Sequence, residues 1–262
     1  MTSENHVPDK LKAFENQTWQ TTVSPAVNED DRRKFFELFY KVHGETENLP
    51  ENVSMQVKHF QILAPAFLDK SERRVFVIHD QNQNVIAGAE LVLGEKTGRK
   101  EAYFGRKVVD HPYRERGFGQ ALTKERLRVA MENDCAEAWT LVEQDNITAL
   151  RSINRNNFYI VGNGMKKTGE AALRDSYYMS RDLTQEPPQP LQADQIEHTS
   201  RAENSETLNN DRVLISADNP DLIHQALAKG FIGRQVIIPK DAKNIQHPMI
   251  LMEKMQTKTE AK

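Results

Sequence analysis

Apolar residues recur at two spacings along this chain, and the switches between them outline its elements. In TWQTTVSPAV, Trp19, Thr21 and Val23 alternate as on one face of a strand. Asn28, Asp30 and Asp31 then stand as caps before RRKFFELFYKV, where Phe35, Leu38, Phe39 and Val42 form a helical stripe. A second helix is expected over residues 55–68, bent or ended by Pro65. RRVFVIHD and VIAGAELVLG, joined by the turn-like QNQN, read as a hairpin. AYFGRKVVD is the next strand, followed by a glycine-containing loop and a helix to about Asn133. AWTLVEQ predicts a strand, NITALRSINRNN a helix, and FYIVG with SYYMSRDL a closing strand pair.

The order β-α-α-β-β-β-α-β-α-β-β combines an antiparallel meander with helical crossovers. It predicts an α/β (α+β type) core with a mixed, mostly antiparallel sheet flanked by helices. Within the helix after the loop, Phe118, Ala121, Leu122 and Val129 make one stripe, while Leu127 and Met131 lie opposite. Two apolar faces imply cover on both sides, with the C-terminal segment as a candidate for one of them. Residues 1–17 are polar and expected to be a flexible tail, and 18–183 the main domain. Residues 184–210 carry prolines and almost no apolar pattern, as a disordered linker would. Pattern returns over 211–256 as a βαββ unit, before a short tail at 257–262.

A net charge of −3 argues against a general nucleic-acid surface, which needs a basic excess. The start lacks a signal peptide's apolar core, and no run reaches membrane-spanning length, so a cytoplasmic protein without a membrane partner is expected. Cys135 is the only cysteine, which excludes an intrachain disulfide and reads as an inert, partly buried thiol. The histidines show no metal spacing, and no metal is expected.

The stretch HPYRERGFGQALTKERL places arginines and glycines where a strand hands over to a helix. Gly117 and Gly119 leave the main chain open to close approach, at a helix start whose N–H groups lack intrahelical partners. Such an end attracts phosphate, and Arg114 and Arg116 would add charge-assisted bonds. An ordinary turn with solvated arginines is the plainer alternative. No Gly-Lys-[Ser/Thr] follows, so this is not a Walker loop, and the third glycine of a dinucleotide fingerprint is missing.

Arg114-Glu115-Arg116-Gly117-Phe118-Gly119 fits the acetyl-CoA loop pattern [Gln/Arg]-x-x-Gly-x-[Gly/Ala]. Asn146-Ile-Thr-Ala149-Leu150 and Phe158 match two further positions of the same family. Over roughly residues 18–183 the chain resembles the GCN5-related N-acetyltransferase (GNAT) superfamily, with its acyl-CoA N-acyltransferase fold. The resemblance implies that the loop, with Gln120 and Asn146 nearby, holds the pyrophosphate of acetyl-CoA, the co-substrate. Val108 and Val109 would present main chain to the pantetheine arm and the acyl oxyanion. A splay between their strand and AWTLVEQ would admit the thioester.

Transfer to an amine needs a proton acceptor, and the departing thiolate is helped by an acid. The family's tyrosine acid falls on Ile153, which has no proton to give. Tyr159 is the nearby substitute, with a packed aromatic as its plainer role. The family's base carboxylate falls on Tyr103; Glu101 lies two residues earlier on the same strand face, and Glu90 and Glu143 are further candidates. His111 adjoins the loop with no role assigned.

RVLISADNPDLIHQALAKGF resembles a second half-copy of the fold, with Asn219 and Phe231 placed as Asn146 and Phe158 are. It lacks a phosphate loop, and is expected to frame the acceptor pocket or to act as a cap. A homodimer is left open. The leading expectation is an acetyl-CoA-dependent N-acetyltransferase acting on a small-molecule amine. The alternatives are a catalytically weak acyl-CoA-binding module and a protein lysine or N-terminal acetyltransferase.

Overall fold

Asn28 opens the first helix by accepting the Asp31 amide N–H at 2.7 Å. Glu29, Asp30 and Asp31 place negative charge in its first turn, and Gly44 ends it in the left-handed conformation at φ 74°. This helix is α1 (Glu29–His43) in a computed structural model that describes residues 22–44, 51, 53–54, 69–168, 172–187, 189, 196, 199–208, 210–238 and 248–255. Trp19, Thr21 and the expected helix at 55–68 lie outside the described residues. Val23 precedes a short strand, β1 (Ser24–Pro25).

The remaining strands are β2 (Asp69–His79), β3 (Val85–Lys96), β4 (Arg99–Val109), β5 (Glu137–Glu143), β6 (Tyr159–Thr168), β7 (Ala172–Asp182), β8 (Arg212–Ser216), β9 (Phe231–Ile237) and β10 (Met249–Lys254). The helices are α2 (Phe118–Glu132), α3 (Ile147–Asn154) and α4 (Pro220–Ala228). All ten strands form one sheet in the order β1-β2-β3-β4-β5-β7-β6-β9-β10-β8, antiparallel in these named pairings except for β4 with β5. The β2–β3 hairpin turns where expected, with Asp80 Oδ1 accepting the amide N–H groups of Asn82 and Asn84.

Two apolar layers cover the sheet. Val75, Val77 and Val108 face α1, while Phe76, Ile78, Leu91 and Phe104 face Phe118 and Leu122 of α2 and Leu150 and Ile153 of α3. Phe35 of α1 sits so close to Gly88 that a Cβ there would stand 2.4 Å from its ring. Phe36 and Tyr40 are buried with the expected Phe35 and Leu38, whereas Phe39 and Val42 are only partly covered. On α2, Leu127 is buried but Met131 is 47% exposed, so the expected second cover is incomplete.

Between Ala89↔Lys107 and Leu91↔Phe104 the ladder shifts, so that Glu90 opposes both Gly105 and Arg106. This bulge reverses the facing of everything after it. Ala102 and Phe104 point toward α2; beyond the bulge Arg106 and Val108 face α1, while Lys107 and Val109 face α2.

The last six strands hold two βαββ units of one topology. In β5-α3-β6-β7 the last strand pairs with both others, as it does in β8-α4-β9-β10. The registers coincide: Glu143↔Ser176 and Ser216↔Met249 stand at matching places, and each unit has its irregularity beside Ile160↔Met179 or Gly233↔Met252. Asn146 and Asn219 both cap their helices through the side chain. The units meet where Ile160 of β6 pairs with Gly233 of β9. Asn154 ties them by donating to Phe158 O and Arg234 O and accepting from the Val236 amide, each at 3.0 Å.

Part of the stretch expected to be a disordered linker is packed. Leu214 N–H donates to Ser200 O and Ala202 N–H to Leu214 O, both at 2.9 Å, making a parallel bridge on the outer edge of β8. Asn204 and Thr207 then form a capping box, and Ala202 and Leu208 are buried. Isolated small apolar residues anchor this segment, too few to show as a pattern.

Candidate active site

β4 and β5 run parallel and pair only at Glu101↔Glu137, Ala102↔Ala138 and Tyr103↔Trp139. Beyond this the strands part, the apex held by Thr140 Oγ1 donating to Phe104 O at 2.8 Å. Asp110 N–H bonds to Ile86 O on the β3 side, so strand alternation turns the N–H groups of Val109 and Lys107 toward the opening. The carbonyl of Val109 accepts from Arg114 Nε at 3.3 Å.

At the wide end of this opening, β4 leads through a short turn at His111–Tyr113 into the glycine loop. Gly117 stands at φ 84° as the residue before α2, a conformation costing a side-chain-bearing residue about 1–2 kcal/mol. Its Cβ position is empty to 4 Å, and that of Gly119 meets only Val109 Cγ2 at 3.8 Å. The glycines thus leave a clear approach to the helix end, where no acidic residue occupies the first turn. Arg114 is exposed, and the Arg116 guanidinium lies 5.9 Å over the Tyr113 ring. These residues fit a diphosphate: open main chain, the positive end of a helix dipole and two guanidinium groups.

On the α1 face of the closed end, carboxylates meet aromatics. Trp139 Nε1 donates to Glu101 Oε2 at 3.0 Å, with Tyr103 and Tyr178 rings at 4.7 and 5.3 Å from Trp139. Burial, with Glu137 nearby, raises the pKa of Glu101, as suits a proton acceptor. Burial also raises that of Tyr103, whose phenol stays protonated. Lys96 Nζ lies 5.9 Å over the Trp139 ring, so this cluster already receives one ammonium.

Beside it Glu90 is fully engaged. Arg106 donates to its Oε2 at 2.9 Å, and Arg73 Nε lies 2.8 Å from its Oε1 without hydrogen-bond alignment. Arg126 of α2, wholly buried, reaches through the bulge to Glu90 O and Gly105 O and packs 4.4 Å over Phe104. Burial brings its pKa down to about 9. A carboxylate so committed is structural.

Several expected site residues lie elsewhere. Glu143 shares the face of Glu101 but sits about 20 Å from its level, at the end of β5 that stands across the opening from Lys107 and Val108. Tyr159, on β6, is separated from β5 by β7 and lies under the Arg234 guanidinium at 5.4 Å. Gln120 exchanges two hydrogen bonds with Asn156, at 3.0 and 3.2 Å, which engages its amide. Asn146 caps α3 through the Ala149 amide. Ile153 is buried in the core, and Phe118 and Val108 are buried too. His111 is exposed beside the loop, and burial raises the pKa of the free Cys135 thiol.

Lys107 was not anticipated. Its Nζ bonds to Ser152 Oγ of α3 at 2.9 Å and Thr123 Oγ1 of α2 at 3.3 Å, spanning the opening on its helix side. Two adjacent cations inside the apolar run YFGRKVV were the available signal. Alternation separates the two, but without the bulge it assigns each to the wrong face.

No protein of curated function matches the chain in sequence. Among solved structures, the spermidine N-acetyltransferase from Vibrio cholerae in complex with CoA and spermine is 18% identical, covering 63% of this chain and 96% of its own, with a TM-score of 0.49. An N-acetyltransferase from Staphylococcus aureus Mu50 is 16% identical, covering 64% and 100%, with a TM-score of 0.47. Residues 32–158, which hold α1, β2–β5, the glycine loop and α3, match the model of the Acetyltransferase (GNAT) family. Over this span the chain is similar to the GNAT acetyltransferases.

Proposed function

We infer that the protein transfers an acyl group from acetyl-CoA to the primary amine of a small molecule. The observation that carries this is the β4–β5 ladder, which ends at Tyr103↔Trp139 while β4 runs on unpaired with β5 to Val109 and, through the turn at His111–Tyr113, into an open, left-handed glycine turn. The turn and α2 would hold the diphosphate, with the pantetheine arm along the Val108–Val109 main chain. The Val109 N–H, facing the opening, would donate to the oxyanion of the tetrahedral intermediate. Glu101 stands eight residues along β4 from Val109, roughly 25 Å, whereas Glu143 of β5 is level with Lys107 and Val108 across the opening and would take the acceptor's proton through water.

Transfer to an amine rests on the family match; the carboxylates and ring faces of Glu101, Glu137, Tyr103, Trp139 and Tyr178 suit an ammonium group but stand roughly 20 Å or more along β4 from Val109. The C-terminal unit approaches the opening at the end of β5, where Gln144 Nε2 donates to His224 Nε2 at 2.8 Å. Its own outer strand offers no comparable gap. Residues 200–202 bridge β8 at Leu214, the counterpart of Leu141, where the first unit is already parted.

The test combines calorimetric titration with acetyl-CoA and a thiol-release assay over polyamines, aminoglycosides and amino acids. Binding with amine-dependent thiol release is expected. Binding without release from any acceptor would instead support a coenzyme-binding module, the reading favoured by the buried Ile153.

A further inference from the structure

We propose that Lys107 is the proton donor to the departing thiolate, a role that rests on the acetyl-transfer reading above. Three geometric facts carry it. Lys107 leaves β4 beyond the point where pairing with β5 ends, so it belongs to the wall of the opening. Its ammonium crosses to α3, the helix that follows β5, and is held by two hydroxyls. Among the described residues it has no carboxylate at ion-pair distance; Arg126 of α2 is the charge that bears on it, while α3 presents Ser152 and β3 pairs it with Ala89.

An ammonium without a counter-charge, largely withdrawn from water, gives up a proton readily. Burial, reinforced by Arg126, lowers its pKa to about 7. A thiol's pKa is about 8.5, so transfer from this ammonium to a thiolate runs downhill. Ser152 stands next to Ile153, the buried residue that leaves the neighbouring helix position without an acid of its own.

The step balances. The tetrahedral intermediate collapses, the C–S bond breaks, and its electron pair stays on sulfur. Lys107 Nζ–H gives its proton to that sulfur, releasing free thiol and leaving a neutral amine. Solvent returns the proton before the next cycle.

Lys107→Met and Lys107→Arg in the full chain test this. Arginine keeps a positive charge but does not release its proton near neutrality, so a charge-only role would survive in it and a proton-donor role would not. Both variants are expected to bind acetyl-CoA with unchanged affinity while kcat falls about a hundredfold. Wild-type kcat should decline as pH rises through neutrality, and the variants should lose that limb. Wild-type kcat in Lys107→Arg overturns the proposal, as does an acetyl adduct on the Lys107 peptide after incubation with acetyl-CoA alone. A wild-type protein that binds coenzyme but transfers to no amine overturns the transfer reading and this proposal together. If wild type turns over and both variants match it, only this proposal fails.

Discussion

Ile160 and Gly233 face each other across the β6–β9 boundary and hold the same place in two βαββ units of identical register. A Cβ on Gly233 would stand 2.8 Å from Ile160 Cβ, so the units meet only because one of the pair has no side chain. Gly233→Val should lower stability by about 1–3 kcal/mol, read as a shift in the urea midpoint. Acetyl-CoA affinity should not change, because β7 and β6 separate this contact from β5.

Gly117 separates backbone geometry from charge. Asparagine tolerates its left-handed conformation better than other residues, and aspartate has nearly the same shape with a negative charge. Gly117→Asn and Gly117→Asp should therefore melt within a few degrees of each other. Calorimetry should show acetyl-CoA affinity at least about tenfold weaker in the aspartate variant than in the asparagine one.

Glu101→Gln keeps an acceptor for Trp139 Nε1 and removes the carboxylate. The folded pKa is raised, so the native state holds the proton more tightly than the unfolded one. That contribution is present below the unfolded value, about 4.3, and is lost as pH rises through the folded value. The variant should melt with wild type at pH 4 and above it at pH 7.

Lys107 works in the opposite sense. Its pKa is lowered to about 7, so between there and about 10.4 the native state binds fewer protons than the unfolded chain. This group makes stability rise with pH in that window. The difference between wild type and Lys107→Met, followed by thermal melts from pH 7 to 9.5, should move in favour of wild type.

Gly105 and Glu90 give the strongest stability prediction. A Cβ on Gly105 would lie 2.5 Å from Glu90 Oε2, so Gly105→Ala should cost about 1–3 kcal/mol. Glu90→Gln leaves the buried Arg73 without its carboxylate and removes that of Arg106, and should cost about 3–5 kcal/mol. Chemical denaturation measures both.

The sheet, the helices and the loop were legible because each follows a local rule: alternation in VIAGAELVLG, a helical stripe around Phe35, a glycine pair at a strand–helix junction. The opening between β4 and β5 was legible only through the loop's resemblance. Long-range contacts are what local spacing does not carry. The bulge at Gly105 and Arg106 inverts the facing of Lys107, Val108 and Val109, so strict alternation misassigns all three. Glu101 and Glu143 share a strand face, yet strand length sets them at opposite ends. Tyr159 follows α3 closely in the chain but is carried away by β7, inserted between its strand and β5.

The contact between Glu90 and Gly105 also constrains how this chain can diverge. In any descendant that keeps the bulge, a methyl group enters position 105 at least cost once position 90 has shortened. The guanidinium groups of Arg73 and Arg126 would then need replacing in the same lineage. These four sites should be inherited as a block, with intermediates purged for poor folding rather than for lost chemistry.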